Sequence, residues 1–405
     1  MSKKKAIILL TVFIDVLGIG LIIPILPFYV KSFGASPFLV TLLFAIFSLF
    51  SFFSAPLLGA WSDRSGRRPA LIVSIFSTAL GWLIFAAAPN IIWLFIGRII
   101  DGIAAGNFSV AQSYLIDIAK DEKEKTASLG LIGAIFGIGL IIGPALGGIL
   151  SQISLDFPFW CVGALAVFNG LFALFFLPET NLHKNKEQLL SLNPLRPIIK
   201  SLHDKRWRAN LAAWFIFGIA IAIEHSILAL YLEEIFSFNS FVVSLFLTGI
   251  GVILVINQGF ALKNIWLKYF SETSLNIWLS LVLATGFWLM SLKYLILFIS
   301  GLIIMSITQS ILRVTITSQT AKQGLAQEQG LILGVLASII SVSMIIGPIV
   351  AGWLFTINPH WPFVLSGLLA AITFLILFCS RRRETLAKIS EEDLIIAQQR
   401  LDFVD

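Results

Sequence analysis

Gly59-Ala-Trp-Ser-Asp-Arg-Ser-Gly-Arg-Arg68 is a polar, basic stretch with two glycines, set between long apolar runs at about 38–60 and 69–88. Such runs have the ~20 residues that a helix needs to cross ~30 Å of hydrocarbon. Between two membrane helices the stretch is a short loop on one face, where Gly59 and Gly66 suit a tight turn between closely approaching helices. Short loops rich in Lys and Arg stay cytoplasmic, so Arg64, Arg67 and Arg68 also say which face it is. Asp63 can stay charged there beside a helix N-terminus or an arginine.

Working outward, the whole chain has the same character. Of its 405 residues, 58% are hydrophobic and 12% charged, and the mean hydropathy is +0.95. That excludes a string of soluble domains and requires a polytopic membrane protein. Twelve apolar runs can be read, at about 6–30, 38–60, 69–88, 91–117, 126–152, 158–177, 209–232, 240–262, 273–291, 294–317, 328–356 and 360–380. In lipid, backbone groups must be satisfied within each segment, so these spans are helices. With the N-terminus inside, 24 of the 28 Lys and Arg fall on the side of the quoted turn. The opposite loops hold only Lys31 and Lys293, while Arg98 and Arg313 lie within spans. Both termini are therefore expected in the cytoplasm, and the net charge of +6 is a topological signal rather than a sign of nucleic-acid binding. Cys161 and Cys379 fall near opposite faces, so no disulfide is expected. Met1-Ser-Lys-Lys-Lys5 leads into a run too long for a cleaved signal peptide.

The spans divide into two halves. The connection 178–208 carries Pro178, Pro194 and Pro197 with mixed charges and reads as a cytoplasmic linker, within which 189–208 could form a helix on the membrane surface. It separates a six-helix unit at 1–177 from another at 209–380, and a polar, helix-prone cytoplasmic tail occupies 381–405. The halves repeat: Ile132-Gly-Ala-Ile-Phe-Gly-Ile-Gly-Leu-Ile-Ile-Gly-Pro144 matches Leu336-Ala-Ser-Ile-Ile-Ser-Val-Ser-Met-Ile-Ile-Gly-Pro348 at an offset of 204 residues, and Pro158-Phe159 matches Pro362-Phe363 at the same offset. Repeats of this kind mark transporters with a path between the halves. The expected fold is an all-α membrane protein of twelve helices in two pseudo-symmetric six-helix bundles.

The quoted turn also resembles the loop 2–3 signature of the major facilitator superfamily, G-x-x-x-D-R-x-G-R-[KR], with Gly59, Asp63, Arg64, Gly66, Arg67 and Arg68 filling every position. Asp117 stands where span four meets the same face, and the resemblance implies that it joins Asp63 and Arg67 in a cytoplasmic gate. Gly139, Gly143, Pro144, Gly147 and Gly148 of span five resemble the motif of superfamily members that work as proton-coupled exporters. Read from the residues alone, Gly139, Gly143 and Gly147 at i, i+4, i+8 form a stripe for tight helix packing. The segment 15–27 of span one is similar to that of tetracycline and multidrug:proton antiporters, and 95–102 of span four resembles a motif whose arginine is implicated in proton transfer. The second half departs from the pattern. Lys263 replaces the aspartate expected in Gly259-Phe-Ala-Leu-Lys-Asn264, and span nine lacks the acid that tetracycline exporters have there.

Ionisable residues inside a membrane are costly, ~2.5–3.5 kcal/mol near its centre on insertion scales, and usually face a cavity or a partner. Asp15 reads either as a proton carrier, since a carboxyl out of water holds its proton more readily, or as a capped structural acid. Arg98 and Asp101 share a helical face, as a functional pair or a mutually neutralised one. Glu224 and His225 supply the ionisable cluster of span seven; His225 can titrate near neutrality or simply hydrogen-bond its neighbours. Proton coupling is assigned to Asp15, Asp101 and Glu224, with Arg98 modulating Asp101. Asn107, Gln112, Trp214, Phe217, His225 and Gln309 are candidate linings of a substrate cavity. Its aromatics and acids suit a lipophilic or cationic cargo. Glu233 and Glu234 are expected to be solvated at the outer end, and Arg313 to snorkel to the cytoplasmic one.

No phosphate-binding loop, metal-ligand spacing or nucleophile–base pair is evident, so no metal and no cofactor beyond the proton gradient is expected, and the chain is read as no enzyme. The resulting expectation is a monomeric transporter of the bacterial inner membrane, surrounded by lipid, that exchanges protons for an amphiphilic small molecule by alternating access. A dedicated metabolite or siderophore carrier and a transport-dead receptor are the alternatives.

Overall fold

The computed structural model describes residues 3–103, 105–181, 195–204, 206–325 and 328–401, of which 383–401 and a few other helical positions are described by backbone alone. Twelve helices in it are long and apolar enough to cross a membrane: Lys4–Lys31, Pro37–Ser65, Arg67–Ala86, Ile91–Asp117, Lys123–Leu150, Phe157–Phe176, Arg208–Phe236, Ser240–Tyr269, Glu272–Met290, Leu295–Lys322, Gln329–Ile357 and Trp361–Arg382. They are spans one to twelve below. Neither a strand nor a disulfide occurs among the described residues, and both cysteines are free.

Small residues set the packing. In span five, a Cβ at Gly139 would meet Val16, one at Gly143 would lie 2.9 Å from the Gly20 backbone, and one at Gly147 would meet Leu21 and Ile25, all on span one. In span eleven, Ser343 donates to the Phe215 carbonyl of span seven (3.2 Å) and Gly347 lies against Ala222 and Ile223 of the same helix. The repeat read in the sequence is thus a repeat of contacts: five packs on one as eleven packs on seven. It recurs at the end away from the quoted turn. Phe159 of span six meets Tyr29 at 5.0 Å, and Phe363 of span twelve meets Tyr231 at 4.9 Å, both phenylalanines fully buried. Without a hydrophobic force between helices in lipid, this close approach is what holds each bundle together.

The bundles meet where span five faces span eight and span two faces span eleven. At the end away from the quoted turn the seam is closed. Gly352 lies against Phe38 and Thr41, Gly148 against Phe241 and Ser244, and Ser151 hydrogen-bonds Ser240 (2.9 Å). Across spans one and seven, Lys31 pairs with Glu234 at 2.9 Å and Glu233 at 3.2 Å. Glu234 is exposed at the outer end, as expected, while Glu233 is partly buried there, and both are tied to Lys31 as a latch between the bundles.

Three segments differ from expectation. Span eight does not stop at residue 262. It passes into a π-helix over Asn257–Trp266 and ends at Tyr269, so the turn expected at Gly259–Asn264 is helical. Asn257 explains the continuation: its amide donates to the Ile307 carbonyl (3.0 Å) and to Ser310, and its carbonyl oxygen accepts from Trp266 Nε1 nine residues on (2.9 Å). Span four is interrupted between Ile103 and Asn107. The expected surface helix at 189–208 is a shorter one, Leu195–His203, packed on spans seven and eleven with Ile198 and Ser201 buried, while 182–194 lies outside the described residues. Arg206 ties this connection down by bonding Asp204 and Glu328 (2.7 and 3.2 Å). Arg206 holds the Asp204 carboxyl below its usual range, and the Leu325 N–H followed by Arg206 does the same for Glu328.

Candidate functional site

A cavity of about 1010 Å³ occupies the half of the molecule nearer the quoted turn. Its walls come from spans four, five, eight and ten, all in their halves towards that end, and include Phe108, Gln112, Phe136, Gln258, Arg313 and Thr317. The bundles leave this space at one end of the seam while the opposite end is shut. Gln112 is where the sequence expected it. Gln258 and Arg313 were not among the expected lining residues. Arg313, nine residues before the last residue of span ten, lines the cavity.

Deeper in, a smaller pocket of about 60 Å³ shares Leu140 and Leu254 with that cavity. Glu224, His225 and Gln309 line it, with Gly20 of span one and Pro144 of span five opposite. Glu224 is 1% exposed and its Oε2 lies 3.1 Å from His225 Nδ1. His225, in contrast, is exposed. A buried carboxyl, an exposed imidazole and Pro144 of span five therefore meet at this pocket, which Leu140 and Leu254 join to the wide cavity.

The other expected residues are placed differently. Arg98 and Asp101 are paired at 3.1 Å and both buried, but they do not line the cavity. The guanidinium lies over Phe47 of span two (4.4 Å) and Trp82 of span three (5.6 Å), so the pair is enclosed within the first bundle. The opposite charge and the two ring faces offset part of the cost of enclosing the guanidinium, whose Nε is buried without a hydrogen-bond partner. Trp214 and Phe217 stack on each other at 5.5 Å, and Trp214 Nε1 donates to the Leu336 carbonyl (2.9 Å). Both are buried in the second bundle and are absent from the cavity wall, because the indole found its partner on span eleven. Asp15 is half-buried in span one. The side chain of Asn107 lies outside the described residues.

At the quoted turn, one residue joins spans two and three. Gly66 sits at φ +117°, a conformation open essentially to glycine alone. Arg67 pairs with Asp63 and with Asp117 (3.1 Å), so these three of the residues expected to form a gate lie together. Arg68 reaches the Leu174 carbonyl on span six (2.7 Å), and Arg64 is half-buried beside them. Sequence reasoning missed Glu179. Its carboxylate accepts from the backbone N–H groups of Arg67 (2.9 Å) and Arg68 (3.2 Å), so it caps the N-terminus of span three from 112 residues away. Asn181 adds a bond to the Asp63 carbonyl (2.9 Å). Gly59, by contrast, has open space where its Cβ would be, so in this conformation it makes no close approach.

These two glycines give a paired expectation. A Cβ at Gly66 would lie 2.2 Å from Glu179 Oε2 and force a strained backbone, which costs ~1–3 kcal/mol before the lost cap is counted. Gly66→Ala should lower the thermal unfolding temperature of the purified protein by several degrees. Gly59→Ala, in a helix interior, should leave it unchanged or raise it slightly. Equal behaviour of the two would remove the clamp from the account.

Twelve membrane-length helices in two like bundles with a cavity at their seam have the architecture of a membrane transporter. The chain matches the Major Facilitator Superfamily model over residues 8–327 and belongs to that family. It is 29% identical to the class C tetracycline resistance protein of Escherichia coli, over 95% of this chain and 98% of that one. It is 26% identical to multidrug resistance protein 2 of Bacillus subtilis, over 90% and 92% of the two chains. It is also 25% identical to the quinolone resistance protein NorA of Staphylococcus aureus, over 97% and 100%. Among solved structures it shares its fold with the nucleoside transporter NupG, with a TM-score of 0.76 at 14% identity over 93% and 99% of the chains. The chain is thus a major facilitator transporter related to drug efflux proteins.

Proposed function

We propose that this transporter exports an amphiphilic small molecule in exchange for protons by alternating access, and that the structure is its inward-open state. The observation that carries the reading is Glu224: a carboxyl 1% exposed, beside an accessible imidazole, in a pocket that adjoins the wide cavity. An ionisable side chain at that depth is costly unless it faces a cavity or a partner, and Glu224 has both within reach. The charge bias of the loops supports a cytoplasmic location for the basic end and with it both termini. The cavity then opens inward, and the Lys31 latch and the glycine seam close the outside. In this reading Glu224 and Asp15 carry protons. Asp101 stays paired with Arg98 and fixes spans two, three and four to one another. Asp63, Arg64, Arg67, Asp117 and Glu179 support the inner gate.

The relatives' roles in tetracycline, multidrug and quinolone resistance support efflux as the direction. The chain is read as a monomer in the bacterial inner membrane, using the proton gradient and no cofactor. The test is proton release from the purified protein in weakly buffered detergent on adding tetracyclines, quinolones, lipophilic cations and siderophores in turn. Release within the panel supports competition between proton and cargo. If only a single siderophore or metabolite provokes it, the protein is a dedicated carrier. Silence from a folded protein across the whole panel sinks the proton-coupled reading.

A further inference from the structure

Arg313 is an anomaly in this molecule. It sits well inside span ten, nine residues before Lys322, and its side chain lines the wide cavity. No ion pair, hydrogen bond or ring contact engages its guanidinium among the described residues. The other arginine within a span, Arg98, has a carboxylate at 3.1 Å and two aromatic faces. Among the described residues Arg313 is also the one charged residue in the cavity's lining, so that lining carries a single positive charge and no acid.

The facing wall sharpens the point. Across the cavity, spans four and five present Phe108, Gln112, Ile132, Gly133, Phe136 and Gly137. Closure of the inner gate would bring these residues towards Arg313, and none of them is an acid. A conformational change that closes this wall therefore supplies no counter-ion. A guanidinium cannot shed its proton at any physiological pH, so it cannot escape the cost by neutralisation. It must carry its charge into an occluded space, and the partner that removes the cost has to come with the cargo.

We infer that the wide cavity binds amphiphilic organic anions, with Arg313 as the specificity-determining residue for a carboxylate, sulfonate or phosphate head. The planar guanidinium offers two parallel N–H groups to such a head. Gln112 and Gln258 provide further donors at the same depth, and Phe108, Phe136, Leu140 and Leu254 take the apolar body. This reverses the charge expected from the sequence, where aromatics and acids favoured a cation. The acids are elsewhere: Asp101 is enclosed and Glu224 lies in the inner pocket. The inference rests on the transport reading but not on its proton step.

The test uses three ligands with one naphthyl body and different heads: naphthylacetate, naphthylacetamide and naphthylethylamine. Their affinities are measured by thermal stabilisation of the full-length protein in phosphatidylcholine nanodiscs. For the wild type, the acid should bind at least about tenfold more tightly than the amide or the amine, the range expected of a charge-assisted hydrogen-bonded pair. Arg313→Gln should lose that factor for the acid and keep the affinity for the amide, while Arg313→Lys should keep part of the preference. Equal affinities for the three heads, a preference for the amine, no binding of any of them to the folded wild type, or a preference for the acid that survives Arg313→Gln would each overturn the inference. A second arm replaces part of the lipid with phosphatidylglycerol. Loss of naphthylacetate binding there, in the wild type alone, would assign Arg313 to a lipid headgroup and overturn its role in cargo selection. Because only binding is read, failure of proton coupling and failure of anion selection remain separate results.

Discussion

Glu224→Gln should fold, bind cargo and release no protons. The substitution changes one atom of a side chain that is 1% exposed, so shape and packing in the pocket are conserved. The hydrogen bond to His225 Nδ1 at 3.1 Å can persist with the imidazole tautomer adjusted. Only the ability to exchange a proton is removed. In detergent, cargo-induced proton release should fall to background, and uphill transport in proteoliposomes should fall by at least about a hundredfold, since without a proton to exchange the gradient cannot drive the cycle. Downhill cargo exchange should survive. Glu224→Asp, with its carboxyl withdrawn by one methylene, should retain part of the release. Full release from a folded Glu224→Gln protein would move the coupling site to Asp15.

The second large effect is conformational. Tryptophan at Gly148 or Gly352 should force the outer seam open. A Cβ at Gly352 would already lie 1.9 Å from Thr41 Oγ1, and one at Gly148 would lie 2.5 Å from the Ser244 Cβ. Overpacking of this kind typically costs ~1–3 kcal/mol at each site. The two sites lie on different seams, eleven against two and five against eight, so their costs should add. A combined penalty of ~2–6 kcal/mol is enough to invert an equilibrium between two states separated by a few kcal/mol. Spin labels at Ser36→Cys and Asn358→Cys, with Cys161 and Cys379 replaced by alanine, would read the distance between the outer ends of the bundles. The wild type should give the short distance of a closed outer face, and Gly148→Trp/Gly352→Trp a longer one, with transport lost. An unchanged distance distribution would mean that these glycines pack the bundles without governing the state.

Much of this architecture could be read from residues alone, and the reasons for the exceptions are physical. Length and hydropathy give the spans, because lipid permits few alternatives. The offset of 204 residues gives the halves, and the glycine stripe gives a close helix contact but not its partner, which the fold shows to be span one. Orientation about each helix axis is harder. A span apolar all round has no polar face to mark its interior, so nothing in the sequence separated Trp214 and Phe217, which are core, from Phe108 and Phe136, which line the cavity. Long-range polar contacts were equally hidden. Glu179 acts on Arg67 and Arg68 only because the fold returns the end of span six to the turn after span two. Span eight overran its expected end because Asn257 bonds Trp266 and span ten, contacts that no local propensity encodes. Arg313 was visible as a charge, but its solitude depends on a cavity that only the assembled bundles create.

The anchoring on either side of 182–194 has a consequence of its own. Before it, Glu179 and Asn181 fasten the chain to the 2–3 turn of the first bundle. After it, the helix Leu195–His203, Trp207 and the Arg206–Glu328 pair fasten it to the second. Each half therefore holds its own end of the connection by contacts within itself. The joint between the bundles is shared out as two separate moorings, one on each of the two like six-helix units.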